Sequence, residues 1–358
     1  MGLSNRLSPD LKEKLDREYE QAPELTLGEQ DRLVVISDLH MGGGGRKDEF
    51  VPNSLLLQAL LRRYYLERRF ILALNGDIED LAGFPLARIA TRWLDVYALW
   101  QEFAERGALY KIAGNHDLEL LQRGTADYPF PVIGSLRVAC NGHRLWLFHG
   151  HQVSRLERAF QALGPVFLRG VLHPLGIGNY TVRRSTSRRF HVERRSYLYA
   201  RERRILALIG HTHRPLFESL SGFDAVKIEI ENLCRAYPAA GPAERQRLEE
   251  RVAMLRLEYT VQQTREMLNP RGENLYGAGP LLPCLFNSGS GIGRHGVTAI
   301  EIACGRIALV IWLDRRRTEM YGENAGYRPE RLEDTDYYRV VLKEDDLEYI
   351  FARIHLLA

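Results

Sequence analysis

Five short polar motifs carry most of the side chains able to do chemistry: Asp38-Leu39-His40, Gly76-Asp77, Gly114-Asn115-His116-Asp117, His149-Gly150-His151 and Gly210-His211-Thr212-His213. Together they offer carboxylates, an amide oxygen and imidazoles in the number that two hard or borderline divalent cations need. A carboxylate shared by two such cations holds them about 3.5–4 Å apart. The pair binds phosphoryl oxygens and lowers the pKa of a bridging water, as in phosphatases and nucleases.

Each motif closes an apolar run, at 33–36, 70–74, 109–113, 145–148 and 205–209. Short apolar runs that end in Gly, Asp or Asn are the pattern of buried parallel strands. Open α/β sheets bind their ligands just beyond the carboxyl ends of such strands. Amphipathic patterns at 53–68 and 86–106 predict helices between strands, hence right-handed βαβ units, and a short helix is expected over 9–22. Further strands are expected at 284–289, 297–302 and 307–313, and a closing helix at 345–357.

The chain has 358 residues, a formal net charge of +3 and four dispersed cysteines, Cys140, Cys234, Cys284 and Cys304. Residues 1–30 lack the apolar core of a signal peptide, and no apolar run approaches the roughly 20 residues that span a bilayer. A cytoplasmic protein with reduced thiols is therefore expected, with peripheral contact to an inner membrane left open. The near-neutral charge names no partner.

The motifs closely resemble those of the calcineurin-like metallophosphoesterases: D-x-H, G-D-x-x-D, G-N-H-[DE], a lone H and G-H-x-H. Here they are Asp38-Leu39-His40, Gly76-Asp77-Ile78-Glu79-Asp80, Gly114-Asn115-His116-Asp117, His149 and Gly210-His211-Thr212-His213. The resemblance implies a four-layer α/β/β/α sandwich of two mixed sheets, a fold of the α/β class. It implies that Asp38, His40 and His213 bind one metal, that Asn115, His149 and His211 bind the second, and that Asp77 bridges them. His116 would serve the leaving oxygen, oriented by Asp80, with Asp117 as the second candidate for that role. Two divalent ions (Mn²⁺, with Fe or Zn²⁺ also suited) and in-line attack of metal-bound hydroxide on a phosphodiester or pyrophosphate follow from the same resemblance.

Finer features resemble the bacterial branch that contains UDP-2,3-diacylglucosamine hydrolases. These are Ile36-Ser37-Asp38-Leu39-His40, Gly210-His211-Thr212-His213-Arg214-Pro215 and Asn287-Ser288-Gly289-Ser290. The chain departs from that branch in its length, in His149-Gly150-His151 where Asp usually follows the glycine, and in an insertion at 215–282. The domain is expected over 1–313, with a basic lid at about 152–204, a helical hairpin at 215–282 and a C-terminal extension at 314–358.

Nine arginines lie between Arg183 and Arg204, opposed by Glu193 and Glu202 alone. Beside a phosphoesterase site they would bind further phosphates, an anionic lipid surface or nucleic acid, or they form a solvated helix face. Arg183, Arg184, His151 and Asn115 are the candidates for binding substrate. The run Gly42-Gly43-Gly44-Gly45 either lets backbone approach a phosphate or is a plain loop. A phosphorylated small molecule or lipid-linked compound is the expected substrate. A nuclease and a non-catalytic scaffold of the same fold are the alternatives.

Overall fold

The computed structural model describes residues 6–46, 48–122, 128–154, 186–219, 226, 230, 233–234, 237–268, 282–293, 296–316 and 327–358. Among these, thirteen strands form two mixed sheets. They are β1 (Glu24–Leu27), β2 (Arg32–Ile36), β3 (Phe70–Asn75), β4 (Leu109–Ile112), β5 (Val132–Ile133), β6 (Ser135–Cys140), β7 (His143–Phe148), β8 (Leu206–Ile209), β9 (Leu285–Asn287), β10 (Val297–Ala303), β11 (Arg306–Asp314), β12 (Glu330–Arg331) and β13 (Tyr337–Asp346).

The larger sheet runs β12-β13-β11-β10-β2-β3-β4-β5, and the smaller runs β1-β6-β7-β8-β9. Within the larger sheet β2, β3, β4 and β5 are parallel, while β10 runs antiparallel to β2. Within the smaller sheet β7, β8 and β9 are parallel. Each sheet thus contributes a block of parallel strands whose carboxyl ends carry the polar motifs.

Alternation along the strands builds the layers. Leu33 and Val35 of β2 join a core with Leu145 and Leu147 of the smaller sheet. Val34 and Ile36 point the other way, into a second core with Leu57 and Leu60 of the helix Ser54–Leu60 and Trp100 and Phe103 of the helix Leu94–Ala104. The outer face of the smaller sheet is covered as well. The Trp146 ring lies 5.6 Å from Tyr19 of the helix Pro9–Gln21 and 5.2 Å from Tyr199 of the helix Thr186–Arg203. The layers therefore run helices, larger sheet, smaller sheet, helices, as the resemblance implied.

Two elements differ from the sequence pattern. The single helix expected over 86–106 is broken into Leu86–Arg92 and Leu94–Ala104 at Trp93, whose backbone leaves the helical region. Trp93 is buried, and its indole N–H donates to the Gly42 carbonyl at 2.8 Å. The polar, tyrosine-rich tail contains β13, which pairs with β11 along its length and widens the larger sheet. The segments 155–185 and 269–281 of the two expected insertions lie outside the described residues, and the helix Pro242–Leu268 carries the charged part of the second. No described helix is long and apolar enough to cross a membrane.

Candidate metal centre

β2, β3 and β4 deliver Asp38, His40, Asp77, Asn115 and His116 to one end of the larger sheet; β7 and β8 deliver His149, His211 and His213 to the same end of the smaller one. Backbone and side-chain bonds tie the two ends together. The Asn75 amide donates to the Phe148 carbonyl at 3.2 Å, and the His211 N–H donates to Asp38 Oδ2 at 3.0 Å.

The backbone at this end is strained. Asp38, His40, Asp77, His211 and His213 all have positive φ, between 48° and 66°. Each such residue costs about 1–3 kcal/mol and persists where the surroundings over-determine it, which is typical of ligand sites. Glycine is required beside them. A Cβ at Gly210 would stand 2.5 Å from Asp38 Oδ2, and one at Gly76 would stand 2.5 Å from His149 Nδ1.

The side chains form two groups that share Asp77. Asp38, His40, Asp77 and His213 make one, and Asp77, His149 and His211 make the other. In the first, His40 Nε2 is 3.1 Å from His213 Nε2, and His213 Nε2 is 3.0 Å from Asp38 Oδ1. Donors held about 2.1 Å from one cation in tetrahedral or octahedral geometry stand roughly 3.0–3.4 Å apart. Asp77 Oδ2 lies 3.7 Å from His40 Nε2 and 3.2 Å from His149 Nε2, so one oxygen faces both groups.

These residues fit cations. His149 Nδ1–H donates to the Asn75 carbonyl at 2.9 Å, and Nε2 faces Asp77 at 3.2 Å; against burial, Asp77 lifts this imidazole to about 10, so a cation would take the place of the Nε2 proton. Such an outer hydrogen bond fixes a metal-binding imidazole in its tautomer. The buried Asn115 Oδ1 has no hydrogen-bond partner among the described residues. An acceptor orphaned in this way would cost stability unless a cation or water meets it.

Charge is compressed here. Burial raises the Asp77 carboxyl, yet the His149 and His116 imidazoles outweigh it and hold the group well below the carboxylate range. Asp38 is likewise lowered, with burial opposed by His213. Burial and the neighbouring His116 push His40 down to about 4, which keeps it neutral and able to ligate. His116 behaves oppositely. Burial lowers it, but Asp77 and the Asp80 hydrogen bond lift it to about 9. Its Nδ1 is 2.8 Å from Asp80 Oδ1.

Of the two carboxylates considered as partners of His116, it is therefore Asp80 that touches it. Asp117 has a different task. It is fully buried and accepts from the Gly114 N–H at 2.5 Å, the Ile78 N–H at 2.9 Å and the Lys111 ammonium at 2.5 Å. Lys111 also lies 2.9 Å from Glu79, whose other oxygen accepts from the Tyr97 and Tyr128 hydroxyls at 3.0 and 2.7 Å. This cross-brace ties the loop carrying Asp77 to the loop carrying Asn115. Sequence reasoning missed it, although a lysine inside a buried parallel strand breaks the usual rule and is a signal. Lys111→Met strands two buried carboxylates and is expected to cost about 3–5 kcal/mol in chemical denaturation. A loss below about 1 kcal/mol would contradict the brace.

His151 is buried beside the centre, its ring 5.6 Å from that of His149. It lines a cavity of about 410 Å³ that also touches Ala113, Leu118 and Ile133. Arg183 and Arg184 lie outside the described residues. In the helix Thr186–Arg203, Arg195 and Arg203 turn to the protein. Arg203 is 2.8 Å from Asp16 and 3.0 Å from Glu20, and Arg195 donates to the Val153 carbonyl at 2.7 Å. The same helix supplies Glu193, which accepts from the Thr212 hydroxyl at 2.9 Å and from Arg214 Nε at 3.1 Å, bracing the loop between His211 and His213. The four cysteines are free thiols.

No protein-family model matches the chain. No curated protein matches it either. Among solved structures, a conserved uncharacterized protein of Streptococcus pneumoniae TIGR4, described as a predicted phosphoesterase, is similar over 79% of this chain and 90% of its own, with 14% identity and a TM-score of 0.30. At that overlap the likeness assigns no residue and no substrate.

Proposed function

We propose that the chain is a metal-dependent phosphoesterase that hydrolyses a phosphodiester or pyrophosphate bond at a dinuclear centre. The observation that carries this reading is the single Asp77 oxygen between two imidazole-bearing groups. Asp38, His40 and His213 would hold one cation, and Asn115, His149 and His211 the other. Mn²⁺, Fe or Zn²⁺ suits this mixed donor set. Two bound cations would supply charge for the phosphoryl oxygens and a water of lowered pKa.

The chain's own residues do the rest. His116 stores a proton at near-neutral pH and delivers it to the departing oxygen, while Asp80 fixes its ring. Asp117 and Lys111 hold the Asn115–His116 turn at its distance from Asp77. A diester is favoured over a phosphoprotein because Leu81-Ala82 follows Asp80, where protein Ser/Thr phosphatases carry Arg-Gly. A phosphorylated small molecule or a lipid-linked pyrophosphate, as in the UDP-2,3-diacylglucosamine hydrolases, is the substrate class we infer.

The test is hydrolysis of bis(4-nitrophenyl) phosphate, 4-nitrophenyl phosphate and a UDP-linked pyrophosphate by metal-stripped protein, before and after Mn²⁺ is restored. Cleavage that returns with the metal, faster for diester or pyrophosphate than for monoester, is expected. Cleavage indifferent to metal would contradict the reading. A pH profile adds a second check. Removing the Asp80 charge takes away a cause that raises His116, so the alkaline limb of kcat is expected at lower pH in Asp80→Asn than in wild type. Bound cations lower both limbs, so the wild-type limb itself should fall below about 9. An unmoved limb would detach Asp80 from the proton's control.

A further inference from the structure

The glycine run after His40 is covered by two arginines. A Cβ at Gly43 would lie 2.9 Å from Arg88 Cζ, and one at Gly44 would lie 2.5 Å from Arg92 Cδ, so both arginine side chains rest directly on the glycine backbone. Arg88 and Arg92 stand four residues apart, at the start and end of one exposed face of the helix Leu86–Arg92. Each packs on a ring rather than an acid: Arg88 Cζ is 5.7 Å from the Phe84 centroid and Arg92 Cζ is 4.3 Å from that of Trp93. Neither has a carboxylate partner among the described residues.

The loop beneath them has spare donors. The Gly44 N–H donates to Asp48 at 2.8 Å, whereas the N–H groups of Gly42 and Gly43 meet no acceptor among the described residues. Gly42 is buried, and buried N–H groups without an acceptor are rare. Successive free N–H groups beside guanidiniums are the elements of an anion cradle.

Its place is specific. The Asp80 N–H donates to the Met41 carbonyl at 3.0 Å, and the Phe84 N–H donates to the Asp80 carbonyl at 2.9 Å. Asp80, whose carboxylate holds His116, thus sits on the loop that leads into the helix of Arg88 and Arg92 and is bonded to the backbone just ahead of Gly42. We propose that Arg88, Arg92 and the Gly42–Gly43 backbone bind a second phosphoryl group on the leaving portion of the substrate. This rests on the phosphoesterase reading and narrows it to substrates in which another phosphate neighbours the one attacked.

The test compares wild type with Arg88→Ala/Arg92→Ala, both residues being exposed and outside the metal centre. For a UDP-linked pyrophosphate the double variant should raise KM by about 10–100-fold with kcat nearly constant, since each lost contact is a charge-assisted hydrogen bond. For bis(4-nitrophenyl) phosphate, which has no second phosphate, KM should not move. Arg62→Ala/Arg63→Ala, an equal loss of charge on another exposed surface, should leave both unchanged. Calorimetry of inorganic tripolyphosphate with metal-stripped protein reads the cradle without turnover, and the double variant should bind at least about 10-fold more weakly. Equal tripolyphosphate affinity in the two proteins, or an equal KM rise for both esters, overturns the cradle. If wild type cleaves neither ester yet the tripolyphosphate affinities differ, the phosphoesterase reading fails while the anion site stands.

Discussion

Asp77→Asn is expected to take metal content from two equivalents to one or none and to lower kcat/KM by roughly 10³-fold or more. The change is isosteric, so packing is kept. What is lost is the anionic oxygen that lies 3.2 Å from His149 Nε2 and 3.7 Å from His40 Nε2. A neutral amide cannot balance two cations, and each would then hold only its own imidazoles and one further oxygen. Asp77 Oδ1 also accepts the His116 N–H at 2.8 Å, a bond that an amide oxygen can keep, so the loss falls on the metals rather than on the His116 turn. Metal analysis by mass spectrometry, with activity measured on the same sample, is the check. Two retained equivalents with full activity would remove Asp77 from the bridging position.

His116→Ala separates proton delivery from metal binding. Its Nδ1 is engaged by Asp80, and its ring packs edge-on against His40 with centroids 4.6 Å apart. Its removal is expected to keep both metals and to lower kcat by about 10²–10⁴-fold, the usual worth of general acid–base help. The deficit should shrink for esters whose leaving group is already acidic, such as 4-nitrophenolate, and grow for alkyl esters. An equal deficit across leaving groups would mean that His116 binds the phosphate rather than protonating the departing oxygen. Loss of metal together with activity would place it among the ligands.

Much of this was legible in the residues because the fold repeats one local device. Each motif follows an apolar run, and the side chains at the ends of β2, β3, β4, β7 and β8 converge because parallel strands present their carboxyl ends together. What was illegible depends on contacts distant in sequence. Lys111 reads as an interruption of a strand until Glu79 and Asp117 are seen to flank it. Glu193 reads as one acid in a basic helix until Thr212 and Arg214 are found against it. The strand β13 was masked by its tyrosines and charges, since one edge of it meets only the two-residue β12. Trp93 broke an amphipathic helix because its indole is drawn to the Gly42 carbonyl, a partner 51 positions away.

The central claim is one centre of two cations joined by Asp77. Anomalous diffraction at the manganese edge from crystals soaked in Mn²⁺ tests it most directly. Two peaks about 3.5–4 Å apart, one beside Asp38, His40 and His213 and the other beside Asn115, His149 and His211, with Asp77 reaching both, are expected. A single peak, or peaks away from Asp77, would contradict it.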